Sequence, residues 1–157
     1  MDPSLQAILS KFSYGLYVLS VDAEDWPMAM VVSWVSQISY EPPLIMVAVR
    51  KNRYAHELIR KHKAFTLAVM APDDLESMSR FKNKEAKARL AGLKITKGET
   101  GAPVIDFGLG YVECLLEKEV AMGDHTAFIA RMAAGRVNKE GHPATTLDYK
   151  RVYVGQS

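Results

Sequence analysis

The chain has 157 residues, 48% hydrophobic and 24% charged, and its 20 Lys and Arg against 18 Asp and Glu leave a net charge of +2. One domain spanning residues 1–157, with room for a real core, is the expectation at this length, and the near-balanced charge argues against nucleic acid as a partner. The single cysteine, Cys114, excludes an intramolecular disulfide framework and a cysteine-based zinc site within the chain.

Asp2-Pro3 reads as an N-cap followed by proline at the first helical position. Leu5, Ile8, Leu9 and Phe12 fall at helical spacing, which predicts a short amphipathic helix over 3–11. This start has neither a basic n-region nor a long apolar run, so no secretory leader is expected and a cytoplasmic location is the default. No stretch approaches the length of a membrane span, so no membrane partner is expected. Tyr14 to Val21 reads as a strand in which Gly15 weakens pairing or admits a close backbone. A turn over residues 22–27 leads to a second strand, Met28 to Val35, rich in apolar and β-branched residues.

Ser33, Ser36, Gln37 and Ser39 then crowd around Trp34. Pro42-Pro43 removes two backbone donors and stops any ladder, and Leu44 to Val49 is a short buried strand. Arg50-Lys51-Asn52-Arg53 leads into a helix over Tyr54 to Lys63, with Tyr54, Leu58, Ile59 and His62 on one face. Phe65 to Met70 is a strand stopped by Ala71-Pro72. Asp73-Asp74 caps a helix whose inner face is Leu75, Met78 and Phe81. Lys82 to Leu90 is charged and helix-favouring, with Gly92 as its stop. Thr96 to Ala102 reads as a loop or edge. Gly108-Leu109-Gly110 interrupts before a long strand, Tyr111 to Val120. Thr126 to Ala134, extending towards Val137, is another; residues 138–143 form a turn, and Arg151 to Val154 a final short strand.

Six or seven strands with three peripheral helices result. Strands that follow one another without helical crossovers favour an antiparallel barrel over a doubly wound sheet. No Gly-x-Gly-x-x-Gly opens a βαβ unit, so a Rossmann site is not supported. His56 and His62 stand six apart, and with His142 they lack metal-ligand spacing, so no metal site is expected.

Three stretches carry chemistry, each with two readings. Ser33 to Ser39 is either a strand edge with solvent-facing serines or a rigid edge that offers amides and hydroxyls to a flat polar ligand. Residues 50–54 are either a solvated basic turn or a phosphate site, where helix amides and a guanidinium answer an anion. Gly123-Asp124-His125-Thr126 is either a plain hairpin turn or a turn that places His125 beside a ligand. Cys114 reads as a small apolar strand residue; Tyr149 and Tyr153 read either as core or as the border of a ligand from a second subunit.

The Ser33-Trp34-Val35-Ser36-Gln37-Ile38-Ser39 element, the Glu41-Pro42-Pro43-Leu44 stop, Val112-Glu113-Cys114 and Gly123-Asp124-His125-Thr126, in this order and spacing, resemble the flavin reductase family of FMN-binding split barrels. The resemblance runs from about Ser13 to Tyr153. It implies a mainly β fold, a six-stranded antiparallel Greek-key split barrel with flanking α-helices, assembled as a homodimer. It implies FMN as cofactor, with FAD as the alternative, and NAD(P)H as co-substrate. The ring would meet Ser33, Trp34, Val35, Ser36, Gln37 and Ile38, with Ala48 and Val49 of the following strand beside them. Trp34 stands where relatives commonly carry a small polar residue. The phosphate would meet Lys51, Arg53, Tyr54 and Ala55, with Arg53 and Ala55 standing where relatives often place Ser-x-Thr, and Lys87 approaching from a later segment. His125 would orient NAD(P)H rather than act as acid or base.

The implied function is FMN-dependent NAD(P)H oxidation, with hydride passing to flavin N5 and electrons going on to an acceptor or a partner monooxygenase. The alternative is a flavoredoxin-like electron-transfer protein with little NAD(P)H activity, working with another electron carrier. A third reading is a binding module that keeps the barrel without the flavin.

Overall fold

A computed structural model describes residues 1–149; the strand predicted over residues 151–154, and Tyr153 with it, lie outside the described residues. In chain order the elements are α1 (Pro3–Leu9), β1 (Tyr17–Val21), β2 (Met28–Val32), β3 (Val35–Ser39), β4 (Leu44–Arg50), α2 (Tyr54–His62), β5 (Ala64–Val69), a 3-10 segment (Pro72–Lys82), α3 (Ala86–Leu90), β6 (Ile95–Lys97), β7 (Pro103–Ile105), β8 (Gly110–Met122) and β9 (His125–Val137). The expected mainly β, antiparallel architecture is present, but the strand count is not six. The described residues form nine strands, seven of them in one sheet of order β2-β1-β5-β8-β9-β4-β3, with β6 and β7 in a separate ribbon.

The extra strands have two sources. The apolar run predicted as one strand to Val35 breaks at Ser33-Trp34 into β2 and β3, and the Val35 amide donates back to the Ser33 carbonyl (3.0 Å). The residues predicted as a loop or edge, 96–102, contain most of β6, which pairs antiparallel with β7. Strands β2 and β3 are joined by Ser33 and Trp34 alone, yet they occupy opposite ends of the seven-strand order. A sheet whose two end strands are that tightly linked has to curl round on itself. This curl makes it a barrel rather than an open sheet, with the seam at Ser33-Trp34.

Alternation along the strands sets the two faces. In β4, Ile45, Val47 and Val49 enter the core, while Met46, Ala48 and Arg50 are half-buried on the opposite face. The main core joins Leu19, Val47, Phe65, Leu67 and Phe128 to Leu58 and Ile59 of α2. A second cluster gathers Leu16, Val18, Met70, Phe81, Leu90 and Ile105 under the 3-10 segment and α3. Each large apolar side chain buried in these clusters contributes about 1.5–3 kcal/mol.

The helices are shorter than predicted, for local reasons. Asp2 caps α1 by accepting from the Ser4 amide (2.7 Å), but no residue of α1 is buried, and without packing it ends at Leu9. Helix α2 stops at His62, where Lys63 takes a left-handed conformation. It buries Ala55, His56, Leu58 and Ile59, and Tyr54 is exposed rather than on the inner face. The stretch predicted as one helix from Lys82 is broken by extended backbone at Asn83, whose side chain accepts from the Glu85 amide (3.0 Å). Cys114 is buried, and burial pushes its thiol up to about 12, which leaves it unreactive. Tyr149 packs against the second core cluster.

Candidate functional site

Strand β3 ends the main sheet and, among the described residues, pairs only with β4. Every second N–H of such an edge points away from its partner strand. The middle of β3 is exposed over Ser36, Gln37 and Ile38, so these outward amides are within reach of a ligand. At its root Ser33 is buried, and its hydroxyl has no hydrogen-bond partner. A buried hydroxyl left unpaired costs free energy unless something supplies the partner.

Register then assembles a face beside this edge. The Ala48 amide donates to the Trp34 carbonyl (2.9 Å), and β4 pairs with β9 so that Ala48 lies opposite Ala127 and Arg50 opposite His125. Two alanines form a low floor. The Trp34 ring stands beside it, 4.7 Å from the His125 ring at an interplanar angle of 39°. Tyr14 continues the aromatic row at 6.5 Å from Trp34, and Phe12 stacks on Tyr14.

The His125 turn is bound tightly to the end of β4. Its Nδ1 lies 2.7 Å from an Asp124 carboxylate oxygen, and the other oxygen pairs with Arg50 Nε at 3.4 Å. The Lys51 amide donates to the Asp124 carbonyl (3.0 Å), and the Lys51 ammonium donates to the Gly123 carbonyl (2.7 Å). The hydrogen bond from His125, with the Arg50 guanidinium nearby, holds the Asp124 carboxyl below its ordinary range.

Just past this turn α2 begins. Arg53 is its N-cap in extended conformation with no side-chain cap, so the amides of Tyr54 and Ala55 open the helix without a capping hydroxyl. One turn on, His56 is buried; its Nε2 lies 2.8 Å from the Thr126 hydroxyl and its ring 5.1 Å from Phe128. Burial holds its pKa below the ordinary histidine value.

The structure therefore brings Ser33, Trp34, Val35, Ser36, Gln37, Ile38, Ala48, Lys51 and His125 to one edge, with Arg53, Tyr54 and Ala55 next along the chain. Val49 and Ala55 have their side chains in the core, so each has only backbone to offer. Lys87 stands elsewhere: α3 packs on β2 and the 3-10 segment, and the Lys87 ammonium lies 5.8 Å from the centre of the Trp26 ring. The sequence offers Arg50 within a basic turn and Asp124 within a hairpin turn; the fold adds that the two turns meet and that Lys51 clamps Gly123. The signal available was a basic turn and an acidic turn of matching charge, but nothing in the chain says that they meet.

These groups fit a flat ring with a polar rim and an anionic tail: an unpaired buried hydroxyl, outward edge amides, an apolar floor with an aromatic wall, and an uncapped helix start after basic residues. Among the described residues no cluster of His, Cys, Asp and Glu could hold a metal ion, and no helix is long and apolar enough to cross a membrane. A recess of about 540 Å³ between the 3-10 segment and α3 is no rival site. Arg80, which lines it together with Lys82, already donates to the carbonyls of Arg89 and Ala91.

Residues 9–157 match the family described as "Flavin reductase like domain". A putative diflavin flavoprotein A 2 of Synechocystis sp. is 32% identical over 142 residues, which cover 88% of this chain and 25% of that protein. The high molecular weight rubredoxin of Moorella thermoacetica is 31% identical over 151 residues, 94% of this chain and 66% of that protein. Among solved structures, BorF, the flavin reductase component of a bacterial two-component tryptophan halogenase, superposes with a TM-score of 0.79 at 27% identity, covering 90% of this chain and 91% of that one. The chain thus spans about a quarter of the diflavin relative and about two thirds of the rubredoxin.

Proposed function

The chain belongs to the flavin reductase-like domain family, and from that premise we propose that it is an FMN-dependent NAD(P)H oxidoreductase. The observation that carries this reading is the edge itself: the exposed middle of β3 runs along β4, whose Ala48 lies opposite Ala127 on a face walled by Trp34 and His125. When bound, FMN supplies a hydride acceptor at N5 and a store from which electrons leave for an acceptor or a partner monooxygenase.

The chain's own residues bind and orient. Amides near Ser36, Gln37 and Ile38 donate to the polar rim of the ring, and Ala48 gives it an apolar bed beside Trp34. The amides of Tyr54 and Ala55, with the Arg53 guanidinium, face the phosphate, favoured by the positive end of α2. Lys51 reaches that phosphate only by leaving the Gly123 carbonyl, and Lys87 only by leaving Trp26. His125 orients the nicotinamide. Exposed Ile38 and Tyr40 on the sheet edge, with Val120 and Met122 at the end of the β8–β9 hairpin, suit burial against a second copy, so the reading includes a homodimer. A cytoplasmic setting belongs to the same reading.

The curated relatives favour one second reading. Their names, a diflavin flavoprotein and a rubredoxin, suggest an electron-transfer domain that reacts little with NAD(P)H. One experiment separates the two. The protein is titrated with FMN and with FAD by flavin fluorescence, then mixed anaerobically with NADH or NADPH. Tighter binding of FMN than FAD, and bleaching of the flavin by one nucleotide, is the expected result. Tight FMN binding without bleaching would replace the reductase with the carrier, and no flavin binding would remove both.

A further inference from the structure

We propose that Asp124 is a positioning residue that fixes the tautomer of His125 and so sets the imidazole to accept a hydrogen bond from the primary amide of a nicotinamide. The proposal rests on the reductase reading above. It begins from three contacts. An Asp124 oxygen lies 2.7 Å from His125 Nδ1, Arg50 Nε holds the second oxygen at 3.4 Å, and the backbone between them is pinned by Lys51, whose amide and ammonium both donate into the turn.

An ionised carboxylate only accepts hydrogen bonds, so the proton between the two groups belongs to Nδ1. In a neutral imidazole the other nitrogen, Nε2, then carries a lone pair and no proton. The opposite tautomer would set two acceptors against each other at hydrogen-bond distance. His125 Nε2 has no partner among the described residues, and it is not sealed from solvent. Trp34 lies against the ring of His125, so its rotation is limited on a second side.

The setting is asymmetric in a useful way. The His125 side chain is 19% exposed and that of Asp124 is 67% exposed. A carboxylate that open adds little as a bare ion pair. What it does supply is direction: it takes the one nitrogen that faces it and leaves the other as an acceptor at the ligand face. A nicotinamide presents a carboxamide whose N–H₂ is a donor of the matching kind. A ketone in place of that amide has no donor to offer.

The test uses the full chain loaded with FMN. Wild type, Asp124→Ala and Asp124→Asn are compared with NADH or NADPH, whichever wild type oxidises faster, and with the reduced 3-acetylpyridine counterpart of that nucleotide. Wild type is expected to prefer the amide by about tenfold or more in kcat/KM, as a site built around one hydrogen bond does. Asp124→Ala is expected to compress that preference to about threefold or less, and Asp124→Asn, which keeps an acceptor, to fall between. Nitrogen-15 NMR of the imidazole supplies the second readout: Nδ1 protonated in neutral wild type, and a shift towards the Nε2–H form in Asp124→Ala.

A merely structural Asp124 would lower activity with both nucleotides alike and leave the preference unchanged, which overturns the proposal. An Nε2–H wild-type ring overturns it as well. If neither NADH nor NADPH reduces the wild-type flavin, the amide assignment falls together with the reductase reading. Reduction with an unaltered preference removes the assignment alone.

Discussion

Two carboxylates on the β8–β9 hairpin meet opposite fates, and the contrast separates architecture from function. Glu113, on β8, is 1% exposed. It accepts from the Glu99 amide (3.2 Å), the Thr100 amide (2.8 Å) and the Thr100 hydroxyl (2.7 Å), all in the connection between β6 and β7. Gly98 lies so close to this carboxylate that a Cβ there would collide with it. Glu113 thus fastens the β6–β7 ribbon to the barrel through uncharged donors. Asp124, in the turn between β8 and β9, is open to solvent and meets a guanidinium and an imidazole. One group is fully committed within the protein. The other holds a neighbour in place while that neighbour keeps a free nitrogen. Buried, satisfied polar groups specify structure; half-satisfied ones at an edge are where a ligand enters.

The largest effect should come from the committed group. Glu113→Ala leaves three donors unpaired and a gap under the ribbon, and should cost about 3–5 kcal/mol in urea unfolding. If stability barely changes, the ribbon is not held as described and the contrast fails. A smaller loss is expected at the other region. Arg53→Ala should weaken FMN binding by about 1–3 kcal/mol. The loss should shrink as salt rises; an affinity unchanged at every salt concentration would move the phosphate away from the start of α2.

The smallest effect sharpens the border between the two regions, at His56. Its folded pKa lies below the ordinary value of 6.5, because burial opposes its charge. The unfolded chain therefore binds the extra proton first as pH falls. His56 contributes stability that is present above about pH 6.5 and is lost as pH drops from there towards the folded value. His56→Gln, which keeps a polar partner for Thr126, should flatten the stability profile over that window relative to wild type. Parallel profiles for the two proteins would show that His56 is not the group responsible.

Much of this was legible in the chain. The apolar runs at Tyr14 to Val21, Leu44 to Val49 and Phe65 to Met70 announce the strands found at Tyr17–Val21, Leu44–Arg50 and Ala64–Val69, and Asp2-Pro3 announces the start of α1. The ordered motifs from Ser33 to Thr126 by themselves point to the family to which the chain belongs. The break at Ser33-Trp34 was not legible, because an apolar strand and an apolar strand with a seam share the same local pattern. Nor was the 3-10 segment over Pro72–Lys82, where helical periodicity over Leu75, Met78 and Phe81 reads the same in either helix type.

Local chemistry alone determined which segments extend, which coil and which residues carry hydrogen-bonding or charged groups, since backbone preference and side-chain type are written residue by residue. Only the folded barrel decided that Lys51 clamps Gly123 across 72 positions of sequence, that Arg50 faces His125, and that Glu113 disappears beneath a ribbon. Those pairings follow from strand order and register: a slip of one residue in β4 against β9 would part Arg50 from His125.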